Sequence, residues 1–114
     1  FNQTNPNNIY IVASNSDVYT DANTISLNAW HHVVVTYPAN SILNATNARV
    51  YIDGVSQNLS NAGAQGQNLN TTDANYSIGS RAGANSFFSG KIDDVRVYNR
   101  ALSAQEVLQL YNSR

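Results

Sequence analysis

The sequence predicts an all-β protein: a two-sheet antiparallel β-sandwich of the jelly-roll type with a short C-terminal helix. Short β-branched runs alternate with turns rich in Asn and Gly, which is typical of sandwich strands. An Asp-Gly pair follows an alternating strand, and a helical period occurs only near the end of the chain. With 114 residues, 42% of them hydrophobic and 11% charged, we expect one folded domain over residues 1–114.

Four extended segments are predicted in the first third of the chain. They are IYIVA (9–13), SDVYT (16–20), TISL (24–27) and WHHVVVTY (30–37). The last contains three consecutive valines and is too apolar for an exposed sheet face, so we expect it in the core. Pro38 has no backbone donor and ends this strand.

A hairpin is predicted next. The segment ARVYIDG (48–54) alternates between two faces, as a half-buried strand does, and Asp53-Gly54 supplies a tight turn. VSQNLS (55–60) is then expected to return antiparallel to it. The apolar face holds Ala48, Val50 and Ile52, and the mixed face holds Arg49, Tyr51 and Asp53.

Two more strands are predicted after a long Gly- and Asn-rich loop at 61–74. NYSIGS (75–80) is a short strand, and FFSGKIDDVRVYNR (87–100) is a long bent one in which Gly90 marks a bulge.

The chain ends in a predicted helix, SAQEVLQLYNS (103–113). Ser103 and Glu106 have the spacing of a capping box, in which each side chain bonds the other residue's backbone N–H. One side of this helix is apolar, and we expect it to dock on the sandwich. It carries Val107, Leu108, Leu110 and Tyr111.

Three segments in a fixed order connect this pattern to a known family. They are WHHVVVTY, RVYIDG and FFSGKIDDVRVYNRALSAQEVLQLY, and together they resemble the closing half of the laminin-G-like family within the concanavalin A-like lectin and glucanase superfamily. The resemblance covers residues 25–112 and implies two antiparallel sheets packed face to face. It also implies a secreted or cell-surface protein that recognises a ligand.

The same resemblance implies several strands ahead of Trp30, for which this chain has little room. We therefore expect a fragment or minimal form of the domain that lacks N-terminal strands. Open sheet edges expose unpaired backbone donors and acceptors. We expect a second copy of the chain, or an N-terminal segment of a longer protein, to complete the sheets.

Charge and residue types exclude several functions. The formal net charge is -1 and the six basic residues are scattered, so we expect neither nucleic-acid binding nor attraction to anionic membranes. No apolar run is long enough to insert into a membrane. Glu106 is the only Glu and is used by the helix cap, while Asp93 and Asp94 are adjacent and point to opposite faces. A glycosidase needs a facing carboxylate pair, so we expect no enzyme activity.

Glycan-binding residues are expected on the two mixed faces of the predicted strands. Sugar sites on β-sandwiches combine aromatic rings with polar side chains that bond hydroxyl groups. The alternative is that these faces are ordinary solvent faces with cross-strand ion pairs. The candidate ligand residues are Arg49, Tyr51, Asp94, Arg96 and Tyr98.

Asp93 is the candidate metal ligand. It shares a strand side with Val95 and Val97, where an unbound carboxylate is costly. Proteins that resemble this chain often hold calcium between this late strand and the N-terminal segment, which makes calcium the candidate cofactor. The alternative is that Asp93 accepts backbone N–H bonds at a strand bend. His31 and His32 diverge, so we expect one of them to bond a neighbouring strand, with Trp30 at the edge of the core, rather than a zinc site.

Two functions follow from these expectations. The first is a recognition module for a glycan or an extracellular protein, carried by a larger secreted or surface protein. The second is a structural or oligomerisation unit that pairs through open sheet edges, for example as a homodimer.

Overall fold

The computed structural model describes residues 7–11, 17–38, 41–62, 78–80 and 87–113. These residues form two three-stranded antiparallel sheets and one C-terminal helix, so the predicted all-β class is confirmed. The elements are β1 (Tyr10–Ile11), β2 (Asp17–Thr20), β3 (Val33–Thr36), β4 (Arg49–Ile52), β5 (Val55–Ser56), β6 (Leu59–Ala62) and α1 (Ala104–Asn112).

The first sheet has the strand order β1-β2-β6. Alternation places Val18 and Thr20 of β2 on the buried side, where both are fully buried. Val18 packs with Leu43 and Ala48 from the connection that leads into β4, and Ile11 and Leu59 border this cluster. The connection therefore closes the apolar face of the first sheet.

The second sheet has the order β3-β4-β5, with β4 in the centre. Val50, Tyr51 and Ile52 of β4 are all buried. The prediction that this strand is half-buried is therefore wrong, because both faces of β4 are covered. The cover over Tyr51 comes from Leu102 and Val107 of the C-terminal region.

A tight turn joins β4 to β5 as predicted. Asp53 and Gly54 have φ values of 53° and 80°, the left-handed pair that a two-residue hairpin requires. The expected return strand 55–60 is divided: β5 stays with β4, and β6 crosses to pair with β2. This short stretch therefore ties the two sheets together.

Helix α1 begins at the predicted capping box. The Ser103 Oγ accepts the Glu106 N–H, and the Glu106 carboxylate accepts the Ser103 N–H. Val107 is fully buried under the second sheet, but Leu108 is about half exposed, so the apolar side of the helix is narrower than expected.

The run WHHVVVTY forms a shorter strand than predicted, and it is not a core strand. Among the described residues β3 pairs only with β4, which makes it an edge strand with Val33 and Val35 partly exposed. Trp30 is 62% exposed instead of packing at the core's edge. The predicted strand at 24–27 is a series of turns and bends.

Residues 87–100 were predicted to form a long strand and do not. Within the described part of the chain, only Phe87 makes a β-bridge, to Ser80, and the rest of the segment is irregular and exposed. A strand needs a neighbour for its backbone groups, and none of the described strands runs beside this segment. Asp94 has a φ of 51°, which also interrupts an extended path.

Parts of the predicted loop 61–74 and strand 75–80 lie outside the described residues, since 63–77 are not among them. The turn predicted at 81–86 also lies outside them.

Candidate functional site

Three of the five predicted ligand residues lie together on the exposed segment 87–100. The Arg96 guanidinium donates from Nε to Oδ1 of Asp94 at 3.0 Å and from Nη2 to Oδ2 at 2.9 Å. The hydrogen bonds that Arg96 donates to the Asp94 carboxylate, and next its bond with the Tyr98 hydroxyl, raise the pKa of Arg96 above its ordinary value. The segment is not a strand, so these side chains share no sheet face, and the charges of Asp94 and Arg96 are paired with each other.

Asp93 accepts a bond from a backbone N–H, which was the alternative to its being a calcium ligand. Its Oδ1 accepts the backbone N–H of Asp94 at 2.8 Å, and its side chain is exposed. Within the described ranges no group of three acidic, His or Cys side chains could hold a metal. Calcium prefers six or more oxygen ligands, and Asp94 is bound to Arg96, so calcium at Asp93 stays a prediction.

Arg49 lies in a different place, on the wall of a polar cleft of about 570 Å³. One wall of this cleft is the loop that precedes β4, and the other is the β5-β6 linker. The Nη1 of Arg49 donates to the carbonyl oxygens of Thr46 at 2.6 Å and Ala48 at 2.7 Å. The other lining residues are Ala45, Ser56, Gln57, Asn58 and Leu59.

Three cleft residues at the end of β5 and in the β5-β6 linker were not predicted as site residues. Ser56, Gln57 and Asn58 fell within the expected return strand 55–60. The signal that could have found them is their polarity, since three consecutive polar residues break the alternation of a half-buried strand.

Tyr51 is placed apart from both surfaces. Its side chain is 7% exposed and packs against Leu102 and Val107, so its ring faces have no access to a ligand. In this structure the residue joins the second sheet to the helix.

The two histidines do not form a metal pair. His31 Nδ1 lies 2.7 Å from Oδ2 of Asp53, which follows β4, and Nε2 lies 2.8 Å from Oγ of Ser26. The other Asp53 oxygen accepts the His32 N–H at 2.9 Å. The predicted bond from a His to the neighbouring strand region is therefore present.

Hydrogen bonds connect Ser26 to His31 and His31 to Asp53, as they connect the three residues of a serine hydrolase triad. Acyl transfer further needs a substrate cavity. These three residues do not line the cleft at Arg49, nor do they line a second, apolar cleft at Phe87 and Phe88. Nε2 also lies 3.2 Å from the carbonyl oxygen of Ser26. The bonds of the three residues fix the loop before β3 on the β4-β5 turn.

A second, apolar cleft of about 400 Å³ lies where the exposed segment meets Gly79 and Ser80. Phe87, Phe88 and Ile92 line it, and Phe87 is 76% exposed. Exposed apolar side chains in a group of this kind are typical of surfaces that contact another protein.

The two antiparallel sheets, the short crossing between them and the docked helix define a protein of the β-sandwich class. The comparison with known families is specific: residues 1–108 match a laminin-G family of the Concanavalin A-like lectin/glucanases superfamily. The chain belongs to this family, as the three sequence segments indicated.

Among solved structures, the chain is similar to an S-layer domain-containing protein (residues 221–444) from Clostridium thermocellum ATCC 27405, determined at 2.1 Å resolution. The TM-score is 0.48 and the sequence identity 20%, over 84% of this chain and 51% of that chain. This chain thus spans about half the length of that structure. No curated protein matches. No helix of the described residues is long and apolar enough to cross a membrane.

Proposed function

We propose that this chain is a non-catalytic recognition module of a secreted or surface protein, and that it binds carbohydrate in the cleft at Arg49. The observation that supports this is the composition of the cleft wall, in which hydroxyl, amide and guanidinium groups surround a space of about 570 Å³. Ligand sites for small molecules have volumes in this range and a few convergent polar groups.

The amide side chains that line the cleft carry carbonyl oxygens that are able to accept bonds from sugar hydroxyls. Gln57 donates its Nε2 to the carbonyl oxygen of Val55 at 2.9 Å, and Asn58 donates its Nδ2 to Oδ2 of Asp21 at 3.3 Å. These bonds fix the amide groups. No described residue donates to the side-chain carbonyl oxygens of Gln57 and Asn58, which makes these oxygens available as acceptors.

Membership of the laminin-G family supports an extracellular role by fold analogy. The composition agrees, since the chain is 11% charged and rich in Asn, Ser and Thr. A non-catalytic role is supported by the cleft itself, because its described lining residues include no Asp or Glu to act as an acid and base pair for hydrolysis.

The test is a glycan array probed with the whole chain, with calcium and with EDTA, followed by NMR titration of the glycans that bind. We expect chemical shift changes at Thr46, Gln57 and Asn58, unchanged by EDTA. Gln57→Ala should weaken binding about 10-fold, the effect of losing one or two hydrogen bonds. Gln105→Ala, on an exposed position of α1, is the matched control and should bind as the parent does.

Two outcomes would contradict this proposal. Binding with shift changes centred on Arg96 and Tyr98 would move the site to the exposed segment. No binding to any glycan in either condition would leave an extracellular protein as the ligand.

A second function, an assembly unit, is favoured by the apolar side chains on the exposed segment and on β3. Val97 is 81% exposed, and Val33 and Val35 are partly exposed on a strand whose outer edge has no described partner. Such an edge is able to pair with another chain. Sedimentation equilibrium, with calcium and with EDTA, should then show a dimer that Val97→Asp dissociates. A monodisperse monomer in both conditions would reject this function.

A further inference from the structure

Residues 91–98 have the alternating sequence of a strand, and none of the described strands runs beside them. Their apolar side chains are exposed: Ile92 by 48%, Val95 by 53% and Val97 by 81%. The φ of 51° at Asp94 places a residue with a Cβ in the sparsely populated left-handed region. An extended path would remove this strain and would present backbone donors and acceptors along the segment. The segment therefore has the features of a strand without a neighbour.

A second copy of the same segment is able to supply that neighbour. Two identical adjacent strands related by a two-fold axis perpendicular to their sheet run antiparallel. Opposite residues of an antiparallel pair point to the same side of the sheet, so the axis passes between one residue and its own copy. The residue before this central one then lies opposite the residue after it in the other copy. Like charges directly opposite each other are destabilising, so the charges next to the axis select the register.

An axis at Val95 gives a self-complementary register. Asp94 of each copy then lies opposite Arg96 of the other, so two ion pairs cross the axis. These bonds replace the ones that Arg96 donates to Asp94 of its own chain, at 3.0 and 2.9 Å. Further out on the same face, Ile92 lies opposite Tyr98, which is an apolar and aromatic pair. The charges and the apolar groups of the segment therefore both fit a second copy.

Registers centred nearer the start of the segment are less complementary. An axis at a charged residue places that residue opposite its own copy, and this applies to Lys91, Asp93, Asp94 and Arg96. An axis at Ile92 pairs Lys91 with Asp93. It also places Arg96 opposite Phe88, whose ring has no oxygen to accept a bond from the guanidinium.

A register centred nearer the helix fails for a different reason. An axis at Val97 places Asp94 opposite Arg100 of the other copy. The Arg100 guanidinium already binds both carboxylate oxygens of Glu106, at 3.0 and 2.6 Å. The Asp94 carboxylate would have to compete with this bond, which also holds the helix cap. The register centred on Val95 needs no such exchange.

We propose that two copies of this chain pair antiparallel through residues 91–98, about an axis at Val95, with Asp94 of each copy bonded to Arg96 of the other. This inference rests on the second proposed function, the assembly unit, since it names the interface and its register. Two short strands bury little area, so we expect a weak dimer with a Kd of about 10–100 µM. Single chains then dominate in dilute solution.

The first test exchanges the charges in the whole chain and measures the Kd of the dimer by sedimentation equilibrium. Asp94→Arg and Arg96→Asp each place like charges opposite each other at both crossings, and each should weaken the dimer about 10-fold or more. The double exchange has the composition of the parent and should dimerise as the parent does. An equimolar mixture of the two single variants should form a heterodimer, because the arginines of one then face the aspartates of the other. Circular dichroism of each variant reports whether the fold is intact.

The second test locates the axis. The chain has no Cys, so a single introduced thiol is able to form a disulfide only with its own copy. Opposite residues have Cβ atoms about 4.5–5.5 Å apart, so Val95→Cys should cross-link within the dimer on mild oxidation. Val97→Cys is the matched control on the same face, because its two copies lie about 13 Å apart along the strands. Non-reducing gels measure the two cross-linking rates, and Val95→Cys should react at least about 10-fold faster.

The outcomes separate this inference from the assembly function. A dimer whose Kd is unchanged by both single charge exchanges would overturn this interface and leave the assembly function in place. A monomer at every concentration tested would overturn both. Cross-linking of Val97→Cys as fast as that of Val95→Cys would overturn the register, as would a mixture of the single variants that does not recover the dimer.

Discussion

Strand β4 and the segment 91–98 have similar sequences and different structures. RVYI in β4 and KIDDVRVY in the segment both contain the pair Val and Tyr beside an Arg, in an alternating pattern. β4 has β3 and β5 on its two edges and the helix above Tyr51. The segment has no described strand beside it and is exposed throughout. Alternation shows which residues are able to form a strand, and neighbours decide whether they do.

The comparison also explains where the stabilising contacts lie. Buried apolar area contributes roughly 25 cal/mol per Å², and the described part of the segment 91–98 has little buried area to contribute. β4 has three consecutive buried residues. We therefore expect equal substitutions to have unequal effects in the two regions.

The largest effect is expected from removing the ring that joins β4 to the helix. Tyr51→Ala should lower the free energy of unfolding by about 3–5 kcal/mol, because it leaves a cavity between Leu102 and Val107. Val95→Ala removes apolar atoms from the exposed segment and should change it by less than about 0.5 kcal/mol. Urea unfolding followed by circular dichroism measures both.

A loss of several kcal/mol in Val95→Ala would contradict this comparison, since only a covered side chain has such an effect. If that loss depended on protein concentration, the cover would come from another chain, and the assembly function would gain support. The Val95→Ala series is therefore best measured at two protein concentrations.

The next effect is expected at the turn after β4. Gly54 has a φ of 80°, and a Cβ placed there would lie 3.1 Å from Cδ1 of Leu108 and 3.2 Å from Cδ1 of Tyr111. Gly54→Ala should lower the free energy of unfolding by about 1–3 kcal/mol, through backbone strain and displacement of the helix. Thermal unfolding should show a lower Tm.

Gly90→Ala is the control for this substitution in the exposed segment. The three atoms nearest to such a Cβ all belong to the ring of Phe88, which is exposed and can rotate away. The effect should be within about 1 kcal/mol and can be stabilising, because Ala restricts the unfolded chain. Equal losses for the two glycines would show that the turn is not held by the helix.

The features predicted correctly from sequence are those set by near neighbours in the chain. The capping box depends on residues three apart, and the left-handed turn depends on Asp53 and Gly54. The features predicted wrongly depend on distant residues. Whether WHHVVVTY is a core or an edge strand is decided by which strands pair with it, and its own composition does not contain that information.

The candidate site follows the same rule. The association of Asp94, Arg96 and Tyr98 was predictable, because the three lie within five residues of one another. The cleft was not, since it joins Thr46 and Arg49 to Ser56, Gln57 and Asn58 across the hairpin. Arg49 was selected for its chemistry on a predicted strand face, and only the fold shows which partners surround it.

The smallest effect, an acid-dependent one, is expected where the exposed segment meets the helix. Bonds from Arg100, then from the backbone and hydroxyl of Ser103, lower the pKa of Glu106 from 4.5 to about 2. The folded pKa lies below the unfolded one, so the carboxylate stabilises the fold fully above about pH 4.5. This contribution is lost as the pH falls from there toward 2.

The measurement is the stability difference between the parent chain and Glu106→Gln at a series of pH values. The difference should be constant at neutral pH and should shrink steadily below about pH 4.5, because protonation makes the parent resemble the variant. Arg100→Gln should show a weaker form of the same dependence, since Ser103 still bonds the carboxylate. A difference that stays constant down to pH 2 would mean that Glu106 has no such partners in solution, and that apolar contacts such as that of Val107 with Tyr51 hold the helix.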